Sequence, residues 1–322
     1  MSLVELMVAL SIGLVLIGGA ISLYLEGRRN VRVSDALAEM QENAQFALAM
    51  LEPDISLANY WGLHNWASTI EKRARDPDPL TKSVDVGNDC APSWSIDVDA
   101  PIEGTNGAAP GWACLSIADY KAGTDIIVVR HAGEDAIAAA DLEPGKIYVR
   151  TDQSPRGILF VDNEPGGFGT QAENHVLETR AYYIRPYTFI RPNGTRDGIP
   201  CLRRLVLSDG GDDPRVNDDE VMSGVEDMQV QFGVDTDGIA GTADGAVNMY
   251  VDPDNPVLAQ AGVQVRAVRL WLLVRASSLE VDYKDEAHYR YANLDYTVDE
   301  RGDMPQGYRR LLITQTVALR NL

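Results

Sequence analysis

The amino-terminal segment constrains the fold of this chain more than any other part of the sequence. Residues 6–25 contain no charged side chain, and Glu5 lies at their amino-terminal edge. Twenty residues in an α-helix extend about 30 Å, which is the thickness of the hydrocarbon core of a bilayer. We call residues 6–25 the apolar segment, and it predicts a helix that crosses a membrane.

Three structures compete for this segment. A cleaved signal peptide has a basic region and then about 7–15 apolar residues, whereas here the basic region is absent and the run is longer. A buried core helix at the chain terminus would rarely stay uncharged for so long. A retained anchor fits best, although Arg28 and Arg29 follow it and the positive-inside rule would then place the acidic, cysteine-containing bulk in the cytoplasm. Removal of a basic leader before Met1 would resolve this conflict, so we expect Met1 to be a processed terminus.

The next residues, 26–58, continue the helix with a different surface. Their apolar side chains recur every three or four residues, which is typical of an amphipathic helix. Gly27 is the one weak point between the two halves, and a lone glycine costs only about 1 kcal/mol relative to alanine. We therefore expect one continuous helix of roughly 50 residues, kinked or ended near Pro53. The predicted stripe comprises Val33, Leu37, Met40, Ala44, Ala47, Leu51 and Ile55.

Charge excludes one broad class of function. The 322 residues carry a formal net charge of -20 at pH 7. Nucleic-acid binding needs lysine and arginine opposite the phosphates, so an acidic surface of this kind argues against it. We interpret the short basic run at Arg28, Arg29 and Arg32 as a helix face.

The remaining chain divides into a connection and a domain rich in strands. Residues 59–124 form a long connection with many Pro, Gly and Asp residues and several tryptophans, and a loop of this length should contain short elements. Residues 125–322 contain apolar runs separated by turn signals, without helical crossovers, so the sheet should be mainly antiparallel. The fold class is therefore α+β, with the long helix packed on the sheet. The acidic stretch Asp209–Glu220 is expected to be a solvated loop.

Three cysteines, Cys90, Cys114 and Cys201, allow one disulfide with one cysteine left over. Beyond a membrane anchor an oxidising compartment is plausible. Cys90–Cys114 closes the shorter loop and is the favoured pair, which leaves Cys201 as a buried small apolar residue.

The amino-terminal sequence Ser2-Leu-Val-Glu5-Leu-Met-Val-Ala-Leu10 resembles the first residues of mature type IV pilins. Three carboxy-terminal stretches are similar to PilW-type minor pilins: Val221–Gly238, Val265–Arg275 and Tyr308–Asn321. Asn59-Tyr-Trp-Gly62 stands where that family often has a similar motif. The resemblance covers the helix and most of the carboxy-terminal half, and it implies a type IV pilin-like fold.

The resemblance also implies a structural role rather than an enzymatic one. A minor pilin would reside in the bacterial inner membrane with a periplasmic domain, and would then join the pilus tip and help to prime assembly. The implied partners are PilV-, FimU- and PilX-like minor pilins, the major pilin and a tip adhesin, with prepilin peptidase as the processing enzyme. Met1 would be the N-methylated terminus, and Glu5 would pair with the terminal amine of a neighbouring subunit.

Other sites and functions are weaker alternatives. Asp235 and Asp237 resemble a Ca²⁺ loop, but the remaining loop positions do not match, so an acidic β-turn without a cofactor is favoured. The four histidines share no ligand spacing, and no motif for nucleophilic or metal catalysis is present. The alternatives to a minor pilin are a minor pseudopilin of a type II secretion system and a membrane-tethered periplasmic hydrolase or ligand-binding module that uses the tryptophan-rich connection.

Overall fold

The computed structural model describes residues 2–71, 84–154, 156–162, 164–211 and 213–321. Over these residues the chain forms one α-helix, α1, and fourteen β-strands, which confirms the predicted α+β class. The strands are β1 Ile70–Glu71, β2 Ile102–Thr105, β3 Ile126–Ala132, β4 Ile147–Thr151, β5 Gly157–Val161, β6 Glu173–Arg185, β7 Cys201–Asp209, β8 Pro214–Ser223, β9 Val225–Asp235, β10 Met249–Val251, β11 Gln264–Arg275, β12 His288–Tyr291, β13 Leu294–Thr297 and β14 Arg310–Ala318.

Helix α1 spans Leu3–Leu57, a total of 55 residues, and is continuous through Gly27 as the sequence predicts. It begins with a capping box: the Ser2 hydroxyl accepts a hydrogen bond from the Val4 amide, and the Glu5 carboxylate accepts one from the Ser2 amide. It ends four residues after Pro53, and Asn59 then turns the chain with a φ of 66°. Asparagine tolerates this left-handed conformation better than most residues, so the sequence favours a turn there.

One face of the second half of α1 is buried against the strands. Met40, Ala44, Ala47, Leu51 and Ile55 are fully or almost fully buried, and all five belong to the predicted stripe. The stripe departs from the prediction near its start, where Leu37 is 40% exposed and Ala36 is buried instead. The domain therefore begins to cover the helix at about Ala36, where a small side chain faces it.

The strands form two large sheets and a hairpin. The eight-stranded sheet has the order β1-β5-β4-β6-β3-β2, with β7 on β6 and β8 on β7. The four-stranded sheet has the order β10-β9-β11-β14, and β12 pairs with β13. Every one of these pairs is antiparallel except β1 with β5. Helix α1 packs across both sheets, because its buried face shares one apolar core with β3, β6, β9 and β11.

The prediction of a solvated loop at Asp209–Glu220 is wrong. Residues from Pro214 onward form β8, which pairs along its length with β7. The acidic side chains of β8 are neutralised by arginines on β7: Arg203 Nε lies 2.8 Å from Asp218 Oδ1, and an Arg204 Nη lies 3.7 Å from Asp219 Oδ2. Cross-strand ion pairs of this kind let a charged segment join a sheet.

Candidate assembly site

The first half of α1 is exposed along its whole length. Leu3, Leu14 and Val15 are representative, because each exposes 70% or more of its side-chain surface. None of the most apolar stretch of the helix is buried within the protein, and the helix is long and apolar enough to cross a membrane. Soluble monomers rarely leave such a surface uncovered. The geometry therefore requires lipid or another helix around the first half of α1.

The apolar segment bonds one of its serine hydroxyls within the helix. Its two serines include Ser11, whose hydroxyl donates within the helix toward the Met7 carbonyl at 2.8 Å and the Val8 carbonyl at 3.0 Å. Gly13, Gly18 and Gly19 have no neighbouring atom where a Cβ would lie, other than the helix itself. A helix with internally bonded hydroxyls and backbone groups can enter lipid at little cost.

Glu5 is the one acid at the membrane end of α1. Its Oε2 atom accepts a hydrogen bond of 2.8 Å from the Ser2 amide, whereas Oε1 has no hydrogen-bond partner among the described residues. Both atoms lie at the positive end of the helix dipole, which favours a negative charge there. Met1, the other predicted assembly residue, lies outside the described residues.

A buried carboxylate fixes the second half of α1 to the eight-stranded sheet. Asp54 is 4% exposed, and it accepts hydrogen bonds from the Arg180 guanidinium and, at 2.5 Å, from the Tyr182 hydroxyl. Burial and the adjacent Asp54 raise the pKa of Tyr182, so the tyrosine remains a hydrogen-bond donor. His131 Nε2 lies 3.9 Å from Asp54 Oδ1. These polar contacts fix the rotation of the helix against the sheet.

Asn321 contacts the carboxy-terminal end of α1. The side-chain amide of Asn321 faces the carbonyls of Ser56 and Leu57 at 3.5 and 3.4 Å, and its backbone carbonyl accepts 2.7 Å and 3.0 Å bonds from Asn59 and Asn65. The last helical carbonyls lack partners inside the helix, so these contacts help to satisfy them. The Asn59 motif and the terminal motif thus meet at the end of the helix.

In the part of the chain that the structure describes, two groups of side chains have the composition of a metal site. In the first, Asp235 is buried and its carboxylate already accepts hydrogen bonds from the amides of Asp237 and Gly245, at 3.0 and 2.8 Å. Asp244 completes that group in an exposed turn. The second group contains Asp54 and His131, but the Arg180 guanidinium already bonds the Asp54 carboxylate. Each group therefore has an internal donor for its buried carboxylate.

The structure joins Cys90 and Cys114 in a disulfide, with the Cα atoms 4.5 Å apart. Cys201 is free and buried, and burial raises the pKa of its thiol. The disulfide lies in an apolar cluster in which the Trp94 and Trp112 rings are 5.2 Å apart. The tryptophans near the disulfide therefore stabilise the connection against the sheet.

Replacing both Cys90 and Cys114 by serine is expected to lower the free energy of unfolding by about 3 kcal/mol, because the open chain regains the entropy of the loop. Urea unfolding of the full chain in detergent would measure the loss. A Cys201→Ser protein controls for cysteine removal, because it leaves the loop closed. A double variant as stable as the parent would show that the disulfide adds nothing to the fold.

Sequence reasoning missed a group of buried charges in the carboxy-terminal half. Glu226 on β9 is 1% exposed and lies 2.5 Å from Arg310 Nε on β14. Arg275 on β11 faces the same carboxylate at 3.6 Å. The next residue, Asp227, is bonded by the Tyr291 hydroxyl at 2.7 Å and by the Arg301 guanidinium at 3.2 Å. The signal was present, because Glu-Asp within an apolar run predicts a buried pair once arginines occur in neighbouring strands.

The same group of charges also holds the segment Arg301-Gly302-Asp303. Arg301 is held by the buried Asp227, and Asp303 lies 3.2 Å from the Lys121 ammonium. The tripeptide is therefore part of the internal charge network of the domain.

The comparison with protein families gives one match over the residues that hold these buried charges. The model of the family Type IV Pilus-assembly protein W matches residues 187–321. Searches of curated proteins and of solved structures found no match. The matched region contains β7 to β14, and with them Glu226, Asp227, Arg275 and Arg310. Residues 187–321 are therefore similar to the Type IV Pilus-assembly protein W family, and the exposed apolar helix fits a membrane-anchored protein of pilus assembly.

Proposed function

We propose that this protein is a minor pilin, a structural subunit of the type IV pilus tip that helps to prime pilus assembly. The observation that carries the proposal is the combination of an exposed apolar half-helix with a domain whose carboxy-terminal part matches the PilW family. Its chemistry is non-covalent: the apolar half of α1 exchanges lipid for neighbouring helices, and the domain offers strand edges and loops to other subunits. This role needs no catalytic group and no cofactor.

Before assembly, the apolar segment holds the protein in the inner membrane with its domain in the periplasm. The Cys90–Cys114 disulfide supports this side of the membrane, because disulfides persist in the oxidising periplasm. The proposed partners are PilV-, FimU- and PilX-like minor pilins, the major pilin and a tip adhesin. The proposed processing enzyme is a prepilin peptidase.

Glu5 guides the subunit into register in this proposal. A carboxylate inside the bilayer costs about 2.5–3.5 kcal/mol, so its charge is retained for a partner. Its Oε2 atom is bonded to the Ser2 amide, while Oε1, which has no partner among the described residues, would accept the amino-terminal ammonium of a neighbouring subunit. Such a pair would neutralise both charges as the subunit leaves the membrane.

Two variants separate the charge of Glu5 from its role in the capping box. Glutamine can replace glutamate in a capping box, so Glu5→Gln keeps the helix start and removes the charge. Ser2→Ala breaks the cap, at a cost of about 1 kcal/mol, and keeps the charge. We expect Glu5→Gln to reduce the amount of this subunit in sheared pili at least tenfold, and Ser2→Ala to leave it nearly unchanged. Immunoblots of pili and of membranes would measure both.

If Ser2→Ala reduced the amount of the subunit in pili and Glu5→Gln did not, helix capping would matter and the charge would not, which contradicts the proposed role of Glu5.

The pseudopilin alternative is tested in the same cells: a pseudopilin would be absent from sheared pili, and its loss would impair protein secretion. Co-purification of the full chain with other minor pilins tests the tip complex directly.

A further inference from the structure

Three arginines follow the apolar segment and make no direct salt bridge with a described residue. Many arginines of the domain, in contrast, are paired within 4 Å. Arg28 lies over the Tyr24 ring, with its Cζ atom 5.9 Å from the ring centroid. Arg29 and Arg32 act on the Glu280 carboxyl through longer-range electrostatics and lower its pKa. We call these three residues the arginine collar.

The helix places the collar at the headgroup layer of a membrane, which is about 5–8 Å thick. With a rise of about 1.5 Å per residue, Arg28 and Arg29 lie about 4–6 Å beyond Leu25 and Arg32 about 10 Å beyond it. Side chains on a helix lean toward its amino terminus, so the long Arg32 side chain reaches back toward the membrane. The three arginines outnumber the one acid, Glu26, in this part of the helix. The acids that line the cavity beside the collar are Asp35, Glu39, Glu280 and Asp282.

A loop of the domain, residues 277–283, lies beside the collar. The loop and the helix together line a cavity of about 700 Å³. The Ser277 hydroxyl donates to Glu39 Oε2 at 3.0 Å, which ties the start of the loop to α1. Further along, Arg309 bonds Glu280 at 2.6 and 3.1 Å, and its guanidinium covers the Tyr283 ring at 4.3 Å. The loop is thus held in one position, and Arg309, with smaller contributions from Arg29 and Arg32, lowers the pKa of the Glu280 carboxyl.

This fixed loop exposes two aliphatic side chains on either side of Glu280. Leu279 is 56% exposed and Val281 is 87% exposed, and both line the cavity with the collar. Asp282 is the remaining acid of the loop. Aliphatic groups beside free arginines are the surface chemistry of proteins that rest on a membrane interface.

We propose that the arginine collar, Leu279 and Val281 form a second membrane contact, in which the guanidinium groups bind phosphates of anionic lipids and the aliphatic side chains enter the interface. Arginines beyond a translocated helix are disfavoured by the positive-inside rule, so lipid binding gives their retention a physical reason. The contact would fix the tilt of the domain before assembly. The inference rests on the membrane anchor of the proposed function and is independent of the pilus-tip role.

The first test counts lipids retained by the full chain. Native mass spectrometry in detergent, with added phosphatidylglycerol or phosphatidylcholine, would compare the parent protein with Arg29→Gln/Arg32→Gln. We expect the double variant to bind phosphatidylglycerol about tenfold more weakly, since each basic residue at the surface contributes to anionic lipid binding. Binding of phosphatidylcholine should not change.

A matched control removes two positive charges elsewhere. Arg215 and Arg320 are exposed and do not line the cavity. The Arg215→Gln/Arg320→Gln protein should retain phosphatidylglycerol as the parent does. If it loses lipid as strongly as the collar variant, or if the parent does not distinguish the two lipids, net charge alone explains the binding and the proposal is wrong.

The second test measures the depth of the loop in bilayers. A spin label at Val281→Cys is compared with one at Ile239→Cys, where Ile239 is 53% exposed. The two positions lie at opposite ends of paired strands, because Asp235 of β9 pairs with Gln264 of β11 and the loop follows the other end of β11. In nanodiscs containing phosphatidylglycerol, we expect the label at 281 to be accessible to oxygen and the label at 239 to a water-soluble nickel complex. Cys201 is buried and should stay unlabelled.

Equal water exposure at positions 281 and 239 would overturn the proposal. It would also fail if the collar variant kept its lipid but disappeared from sheared pili, since the collar would then contact a neighbouring subunit. Failure of the Glu5 experiment with normal lipid binding would instead contradict the proposed assembly role and leave this inference intact.

Discussion

Glu226→Gln is expected to lower the free energy of unfolding by about 3–5 kcal/mol, because it leaves buried arginines without their counter-ion. Glu226 contacts Arg310 of β14 at 2.5 Å and Arg275 of β11 at 3.6 Å, and all three side chains are nearly inaccessible to water. Arg310 keeps one other acid, Asp285, at 3.2 Å. Arg310 would then keep Asp285, whereas Arg275 would keep its hydrogen bond to the Gly198 carbonyl at 3.1 Å and no salt bridge to a described residue.

Urea unfolding of the full chain in detergent would measure this loss. Glu42→Gln is a suitable control, because Glu42 lies on the exposed face of α1 and should change stability by less than about 0.5 kcal/mol. Equal stabilities of the two variants would mean that the buried pair contributes no more than a surface charge. The effect should also appear as loss of the subunit from membranes, since a destabilised domain is degraded.

The second large effect is a pH dependence caused by Asp125. Burial, with smaller contributions from the nearby Asp227 and Asp252, raises the pKa of Asp125 to about 7, against hydrogen bonds from the amides of Val230 and Gly107 that lower it. In the unfolded chain this carboxyl has its ordinary pKa of about 3.8. The folded state therefore binds an extra proton between about pH 4 and pH 7, so the contribution of Asp125 to stability is fully present below pH 4 and is lost as the pH rises through 7.

The shift corresponds to roughly 4 kcal/mol over that range, at 1.36 kcal/mol per pH unit. The difference in unfolding free energy between the parent and Asp125→Asn isolates this group from the other acids. We expect the difference to favour the parent most at pH 4 and to shrink by this amount by pH 8. A difference that stays constant over the range would show that the two amide hydrogen bonds keep Asp125 ionised in the fold.

Local sequence patterns predicted the long helix and the apolar strands, because the same kind of surface contacts them at each turn or at every second residue. The apolar run and the stripe of Met40, Ala44 and Ala47 predicted a single long helix, because one face of it meets the same kind of surface at each turn. The apolar strands were predicted for the same reason. Leu37 was predicted to be buried but is exposed, and Ala36 is buried in its place. The reason is that the point at which the domain first covers the helix depends on the position of the strands.

Charged residues were predicted poorly because their partners are distant in sequence. Strand β8 contains several acids that disfavour burial, and only the arginines of β7 make it a strand. Asp54 lies three residues after Leu51 and seven after Ala47, so the helical period places it on the buried face, where Arg180 and Tyr182 supply the partners of its carboxylate. The assembly role of Glu5 stays a prediction from its sequence position, to which the structure adds the hydrogen bond from the Ser2 amide to Oε2.

The sequence by itself determined the membrane-length helix, the α+β class and the resemblance to PilW-type pilins, because each depends on residues that are close together along the chain. The tertiary structure decided which charges are buried, how α1 is locked against two sheets, and that residues 277–283 lie beside Arg28, Arg29 and Arg32. Those facts depend on contacts between residues up to about 250 positions apart, such as Glu39 with Ser277. The free energy of a buried charge is set by such partners, and no local pattern contains them.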